Sequence, residues 1–100
     1  MIEKGGYTYI MTNRNRTVLY IGVTSGLYTR VYQHKNGEGS KFTKKYKCFD
    51  IVYYEYYDEI ETAIEREKQL KGWKREWKDE LVRKFNPHML DLFNDIQDLD

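Results

Sequence analysis

The sequence predicts an α+β domain, a three-stranded antiparallel sheet flanked by helices in the order ββαβαα. Three observations carry this expectation. Two short alternating apolar runs, residues 7 to 11 and 18 to 23, are separated by the polar stretch TNRNRT, which reads as a β-hairpin. A third run, IVYYEYY, has the β-branched and aromatic content of a strand. Segments of helical periodicity follow the second and third runs. One hundred residues, 40% of them hydrophobic, fit one core and leave no room for a second.

Symmetric closure of the hairpin around Arg14 and Asn15 places Tyr9 opposite Tyr20 and Ile10 opposite Leu19. One face then holds Ile10, Leu19, Ile21 and Val23, and the other gathers Tyr7, Tyr9, Tyr20 and Gly22. Ser25 or Thr24 can cap a helix over residues 27 to 35 that stops near Gly37. Asp58 followed by Glu61 resembles a capping box for a helix over residues 59 to 71, with Gly72 positioned to end it. A final helix spans residues 73 to 85, with Trp73, Trp77, Leu81 and Phe85 at four-residue spacing, and Asn86 and Pro87 terminate it.

Composition narrows the classes of function. Cys48 is the single cysteine, so no disulfide within the chain and no cysteine-based zinc cluster can form. The amino terminus lacks the basic start and apolar stretch of a secretory signal, and no apolar run approaches the roughly 20 residues of a membrane span. A cytoplasmic protein without a membrane partner is the expectation. The formal charge of +1 is unevenly divided: residues 88 to 100 carry four Asp and no Lys or Arg, so the other 87 residues carry +5. Within that basic part, SKFTKKYK sets Lys41, Lys44, Lys45 and Lys47 around Phe42 and Tyr46. Cations beside aromatic rings suit a phosphate backbone and unstacked bases. The alternative is a solvated loop.

Several charges fall on apolar faces. At about 100° per residue, the helix after Asp58 puts Ile60, Ala63, Ile64 and Leu70 on one stripe, and Glu67 falls between Ala63 and Ile64. A core-side carboxylate costs several kcal/mol unless it is paired, protonated or bound to a cation. An ion pair with Lys71, four residues on, is the structural alternative. In the first helix Arg30 and His34 share the side marked by Leu27 and Val31. A lone inward His is commonly a hydrogen-bonded structural residue. Arg30, always charged, requires an anionic partner, which Glu67 or a substrate could supply.

Taken together, two tyrosines, an Arg with a His one turn later, and a Glu on another helix are the parts needed to hydrolyse a phosphodiester. The carboxylate would hold a divalent ion, and the guanidinium would stabilise charge growing in the transition state. A tyrosine can take a proton from water only if its pKa, about 10 unperturbed, is lowered by neighbouring cations. One protein carboxylate suits Mg²⁺, which keeps waters and uses substrate oxygens as ligands.

At these residues the chain resembles the GIY-YIG nuclease superfamily, particularly its small stand-alone bacterial members related to the N-terminal domain found in excinuclease ABC. The matching stretches are YTYIMTN, VLYIGVTSGLYTRVYQHK and AIEREKQLKGWKR, in the family's order. The first motif reads YTY here, keeping the tyrosine but not the glycine and isoleucine. The resemblance implies a metal-dependent active site formed by Tyr9, Tyr20, Arg30 and Glu67, with His34 as an accessory residue. Lys71 and Asn86 are candidates for a further late site residue.

The expectation is therefore a single nuclease domain over residues 1 to 87, followed by an acidic amphipathic segment over residues 88 to 100. Its function would be Mg²⁺- or Mn²⁺-dependent cleavage of DNA, directed by structure or damage as in repair. Glu67 would bind the metal, and Lys41, Lys44, Lys45 and Lys47 would contact the DNA backbone. No appended DNA-binding domain is expected, so affinity would come from the lysine segment, a homodimer or a protein partner. The alternatives are a binding module of the same fold that does not cut, and a protein-interaction domain whose acidic segment docks as a helix. That segment could instead fold back and shield the basic surface.

Overall fold

The computed structural model describes residues 5–99, so residues 1–4 of the expected domain and Asp100 of the acidic segment lie outside the described residues. Its elements are β1 (Gly6–Thr12), β2 (Leu19–Thr24), α1 (Leu27–Lys35), α2 (Lys41–Tyr46), β3 (Asp50–Tyr57), α3 (Ile60–Lys71) and α4 (Arg75–Phe85), with a 3₁₀ turn at Phe93–Ile96. The strands form one antiparallel sheet in the order β2-β1-β3. This is the α+β architecture expected, with α2 as an added helix between β2 and β3.

The central position of β1 explains its sequence. Both of its edges are hydrogen-bonded and both of its faces are covered, so Thr8 to Thr12 are all buried. On one face Tyr9 and Met11 pack with Leu27 and Val31 of α1, with Ile51 of β3 and with Ile96 near the carboxyl end. On the other, Ile10 and Ile21 meet Val52, Leu70 of α3 and Val82 of α4. The Thr8 hydroxyl sits among apolar neighbours because it donates to the Ala63 carbonyl at 2.7 Å, tying α3 to β1. Between β1 and β3, Ile10 faces Tyr53 while Met11 faces Ile51, so Val52 is a bulge residue.

The hairpin register corrects the expectation. Tyr9 pairs with Gly22 and Met11 with Tyr20, a shift of two residues. The loop is centred on Asn15 and Arg16 because Asn13 organises it: its side-chain oxygen accepts from the backbone N–H of Thr17 and Val18, and its carbonyl accepts from Arg16 N–H. Arg16 takes the left-handed conformation, φ 61°. A shift of two leaves each side chain on its expected face, so the tyrosines still share one side.

The caps also differ. Gly26, not Ser25 or Thr24, stands before α1, although the Thr24 hydroxyl accepts from Gly26 N–H at 3.2 Å. Glu59 precedes α3 without a side-chain cap, so the Asp58–Glu61 box does not form. The last helix begins at Arg75. In the four-residue series Trp77 and Phe85 are exposed, and the residue that α4 buries, Val82, lies outside that series.

The acidic segment folds back rather than forming a helix for a partner. Asn86 starts the return, its amide donating to the carbonyls of Val52 and Leu90. Asp91 accepts from Ile51 N–H at 3.0 Å and pairs with Lys35 at 2.7 Å, and Ile96 is completely buried. These residues complete the core beneath α1. They leave Lys41, Lys44, Lys45 and Lys47 exposed.

Candidate active site

Gly22 and Tyr9 define the floor of the site. The Tyr9 ring lies over the position where a side chain at Gly22 would begin: a Cβ there would stand 2.5 Å from the Tyr9 Cζ and hydroxyl oxygen. Only glycine lets the ring lie across β2. Tyr20, diagonal to it on the same face, keeps its ring centroid 6.4 Å from that of Tyr9. Burial distinguishes the two phenols, since Tyr9 is 1% exposed and Tyr20 is partly open.

Leu27 and Val31 anchor α1 over this face, which carries Arg30 and His34 inward on the same turns. The Tyr9 hydroxyl and His34 Nε2 are 2.9 Å apart, and the Arg30 guanidinium donates toward the same phenol oxygen. Arg30 also donates to the Gln33 side chain at 3.2 Å. Beside Arg30 lies a polar depression lined by Thr24, Ser25, Gly26, Thr29 and Gln33.

The second ring nitrogen of His34 meets α2. His34 Nδ1 is 3.1 Å from the Thr43 hydroxyl oxygen, and that hydroxyl donates to the Ser40 carbonyl at 3.0 Å. With its only proton committed, Thr43 accepts from Nδ1–H, leaving Nε2 bare to accept from Tyr9. A side chain at Gly39 would run into the His34 imidazole, so the chain closes over the ring without one.

These contacts set the protonation states. Burial pushes the Tyr9 phenol up to about 12; the Arg30 hydrogen bond and charge oppose this, while Tyr20 and Glu67 add to it. Burial, with the Arg30 charge, pulls His34 down to about 4. Tyr9 is therefore a neutral donor to a neutral imidazole at physiological pH. It does not meet the condition of a lowered pKa set for a tyrosine base.

Glu67 falls on the expected stripe of α3, between buried Ala63 and Leu70, and its side chain is 17% exposed. Its charge reaches the Tyr9 phenol, although α3 covers the opposite face of the sheet from α1. The Lys71 ion pair considered as the structural alternative is present at 3.4 Å, with Lys71 largely exposed. The neighbouring Arg66 is occupied elsewhere: it binds Glu55, which also accepts from Tyr53 and Tyr57. Burial raises the Glu55 carboxyl, but these hydrogen bonds outweigh it and hold the group below its usual range. The Asn86 side chain is hydrogen-bonded within the turn after α4 and to the Val52 carbonyl.

The donor set limits any metal. Among the described residues no three His, Cys, Asp or Glu side chains converge. That geometry gives no fully caged ion. A partly buried single carboxylate fits Mg²⁺ or Mn²⁺ that retains waters and takes phosphate oxygens from a substrate.

The lysine segment is a helix rather than a solvated loop. Ser40 caps it by accepting from Thr43 N–H at 3.1 Å, and Lys47 ends it in the left-handed conformation, φ 56°. Thr43 is its buried residue, while the lysines point to solvent. Gly22, Gly39 and Thr43 are the site-building residues that sequence reasoning did not single out. The Ser40 to Thr43 spacing was the available signal for α2.

Comparison with known proteins identifies the family and the fold. A family model described as the GIY-YIG catalytic domain matches residues 5–80. A UPF0213 protein of Natronomonas pharaonis is 34% identical over 76 residues, covering 76% of this chain and 88% of the relative. A UPF0213 protein of Staphylococcus saprophyticus is 33% identical over 76 residues, covering 76% and 92%. The solution NMR structure of a UPF0213 protein from Bacillus halodurans superposes with a TM-score of 0.50 at 28% identity, covering 78% of this chain and 82% of that one.

Proposed function

Because the chain belongs to the GIY-YIG family of nuclease domains, we propose that it is a divalent-metal-dependent endonuclease that hydrolyses DNA phosphodiester bonds. The observation that carries this reading is the hydrogen-bonded cluster of Arg30, Tyr9 and His34, which opens to solvent at Tyr20.

Each residue has a distinct part. Tyr20 is the phenol that water can reach, so it orients the attacking water and, in its phenolate form, takes the proton that water loses. Tyr9, sealed and neutral, holds Arg30 and His34 in place. The Arg30 fork clamps the scissile phosphate and stabilises its developing charge. His34 keeps the Tyr9 hydroxyl directed inward. Glu67 would hold Mg²⁺ or Mn²⁺, exchanging its Lys71 partner for the ion. When bound, the ion supplies polarisation of the phosphate and of the leaving oxygen. Lys41, Lys44, Lys45 and Lys47 contribute salt-sensitive attraction to the backbone.

The test is incubation of purified protein with plasmid, single-stranded and branched DNA in Mg²⁺ or Mn²⁺, beside Glu67→Gln and Arg30→Ala. Both variants should lose about 100-fold or more in rate. Glu67→Gln should fold normally, since a pair with an exposed lysine contributes only tenths of a kcal/mol. Equal nicking by all three proteins would identify a contaminant and remove the enzymatic reading.

A further inference from the structure

The aromatic side of the site does not stop at Tyr20. Its ring is followed by Phe42 at 5.8 Å between centroids and at 31°, and Phe42 by Tyr46 at 4.7 Å. The series runs outward from the partly buried phenol onto α2, where Phe42 is 42% exposed and Tyr46 41%.

Helix geometry explains the arrangement. With Thr43 fixed inward against His34, Phe42 and Tyr46 lie about 40° apart on the flank of α2 nearest Tyr20. Lys41 and Lys45 fall beyond them toward solvent, and Lys44 lies on the opposite flank. Lys45 Nζ stands 5.2 Å over the Tyr46 ring. From residue 39 to 49 the chain has four lysines and no acidic side chain. Rings in series beside a cationic rim match the two halves of a nucleotide, a flat base and an anionic phosphate. In a continuous duplex the bases are already stacked on each other, so their faces cannot meet these rings.

We propose that α2 receives an unpaired stretch of DNA, its bases stacking on Phe42 and Tyr46 and its phosphates passing Lys41 and Lys45 toward Tyr20. The cleavage this implies, at or beside unpaired nucleotides, rests on the endonuclease reading. The binding does not.

The experiment measures fluorescence anisotropy of the full chain in EDTA with labelled DNA of about 15 nucleotides. Three probes are compared: a base-bearing single strand, an abasic strand of equal charge, and the duplex. The base-bearing strand should bind tightest. Phe42→Leu and Tyr46→Leu should each weaken it about fivefold or more and leave the duplex unchanged. Tyr46→Phe, which keeps the ring, should retain wild-type binding, and melting curves confirm folding of each variant. Duplex or abasic DNA bound as tightly as the base-bearing strand would reduce α2 to a generic basic surface and overturn the proposal. So would cleavage in Mg²⁺ or Mn²⁺ that ignores unpaired nucleotides. If the base-bearing strand is preferred but never cut, the endonuclease reading fails and the strand site stands.

Discussion

The Tyr9 hydroxyl donates to His34 Nε2 across 2.9 Å, in a contact closed to solvent on both sides. Its direction is dictated from outside the pair, by the Thr43 hydroxyl, whose proton goes to the Ser40 carbonyl and whose oxygen receives Nδ1–H. A residue on α2 thereby decides which ring nitrogen of His34 on α1 carries the proton, and with it the direction of the hydrogen bond from Tyr9 on β1.

Thr43→Val should release that choice. The isosteric side chain fills the same space but offers Nδ1–H no acceptor, so the ring is expected to populate its other tautomer and reverse the hydrogen bond to Tyr9. Imidazole ¹⁵N chemical shifts should show one tautomer, protonated at Nδ1, in the wild type and in Thr43→Ser, and a mixture in Thr43→Val. The buried donor left without a partner should also cost about 1–3 kcal/mol. A single unchanged tautomer in Thr43→Val would show that α2 does not direct the ring.

Burial of neutral His34 predicts an acid-side loss of stability. Its folded pKa falls from 6.5 to about 4, so between these values the unfolded chain binds a proton that the folded one excludes. Stability should decline as pH drops through this window, by up to about 3 kcal/mol, and level off below it. Glu55, whose folded pKa is also lowered, adds a loss at the acid end in every variant that retains it. The difference between wild type and His34→Gln in urea unfolding, followed across roughly pH 4 to 8, isolates the histidine. His34→Gln should be flatter between the two pKa values. Parallel curves would mean that His34 titrates normally in the fold.

Gly22 should tolerate no side chain. A methyl group there meets the Tyr9 ring from below, and β1 is too enclosed to yield. Gly22→Ala is expected to lose about 1–3 kcal/mol by overpacking and to displace the Tyr9 hydroxyl from His34. Urea midpoints give the first effect, and the His34 ¹⁵N shifts give the second. A stable variant with unaltered shifts would show that Tyr9 has room to move.

The legible and illegible parts of the fold divide along physical lines. Face assignments on the hairpin were readable because side-chain alternation survives a register shift of two, whereas the register itself depended on Asn13 and the left-handed Arg16. Arg30, His34 and Glu67 were conspicuous because charge on an apolar stripe is anomalous at any register. Helix α2 was obscured because it buries a single residue, Thr43, so it has no apolar periodicity to detect. Gly22 and Gly39 matter through the rings that occupy their missing side chains, which only coordinates reveal.

The carboxyl-terminal segment is the remaining case. Its four aspartates suggested a detachable shield or a docking helix, yet the structure uses it as part of the wall behind the site. Ile96 is completely buried in the cluster that contains Tyr9, Leu27 and Val31, and Phe93 stacks on Tyr28 of α1 at 5.2 Å. Asp91 takes the Ile51 N–H while Leu92 N–H donates to the Ile51 carbonyl, so the segment also closes the exposed end of β3. Because α1 is held between the sheet and this segment, loosening one side should loosen Arg30 and His34 with it. Ile96→Ala is expected to destabilise the domain by about 2–5 kcal/mol through the cavity it leaves, far more than Leu90→Ala at an exposed position nearby. Hydrogen exchange should quicken first at the α1 amides in Ile96→Ala. A midpoint change no larger than that of Leu90→Ala, with α1 protection intact, would restore the segment to the status of a removable tail.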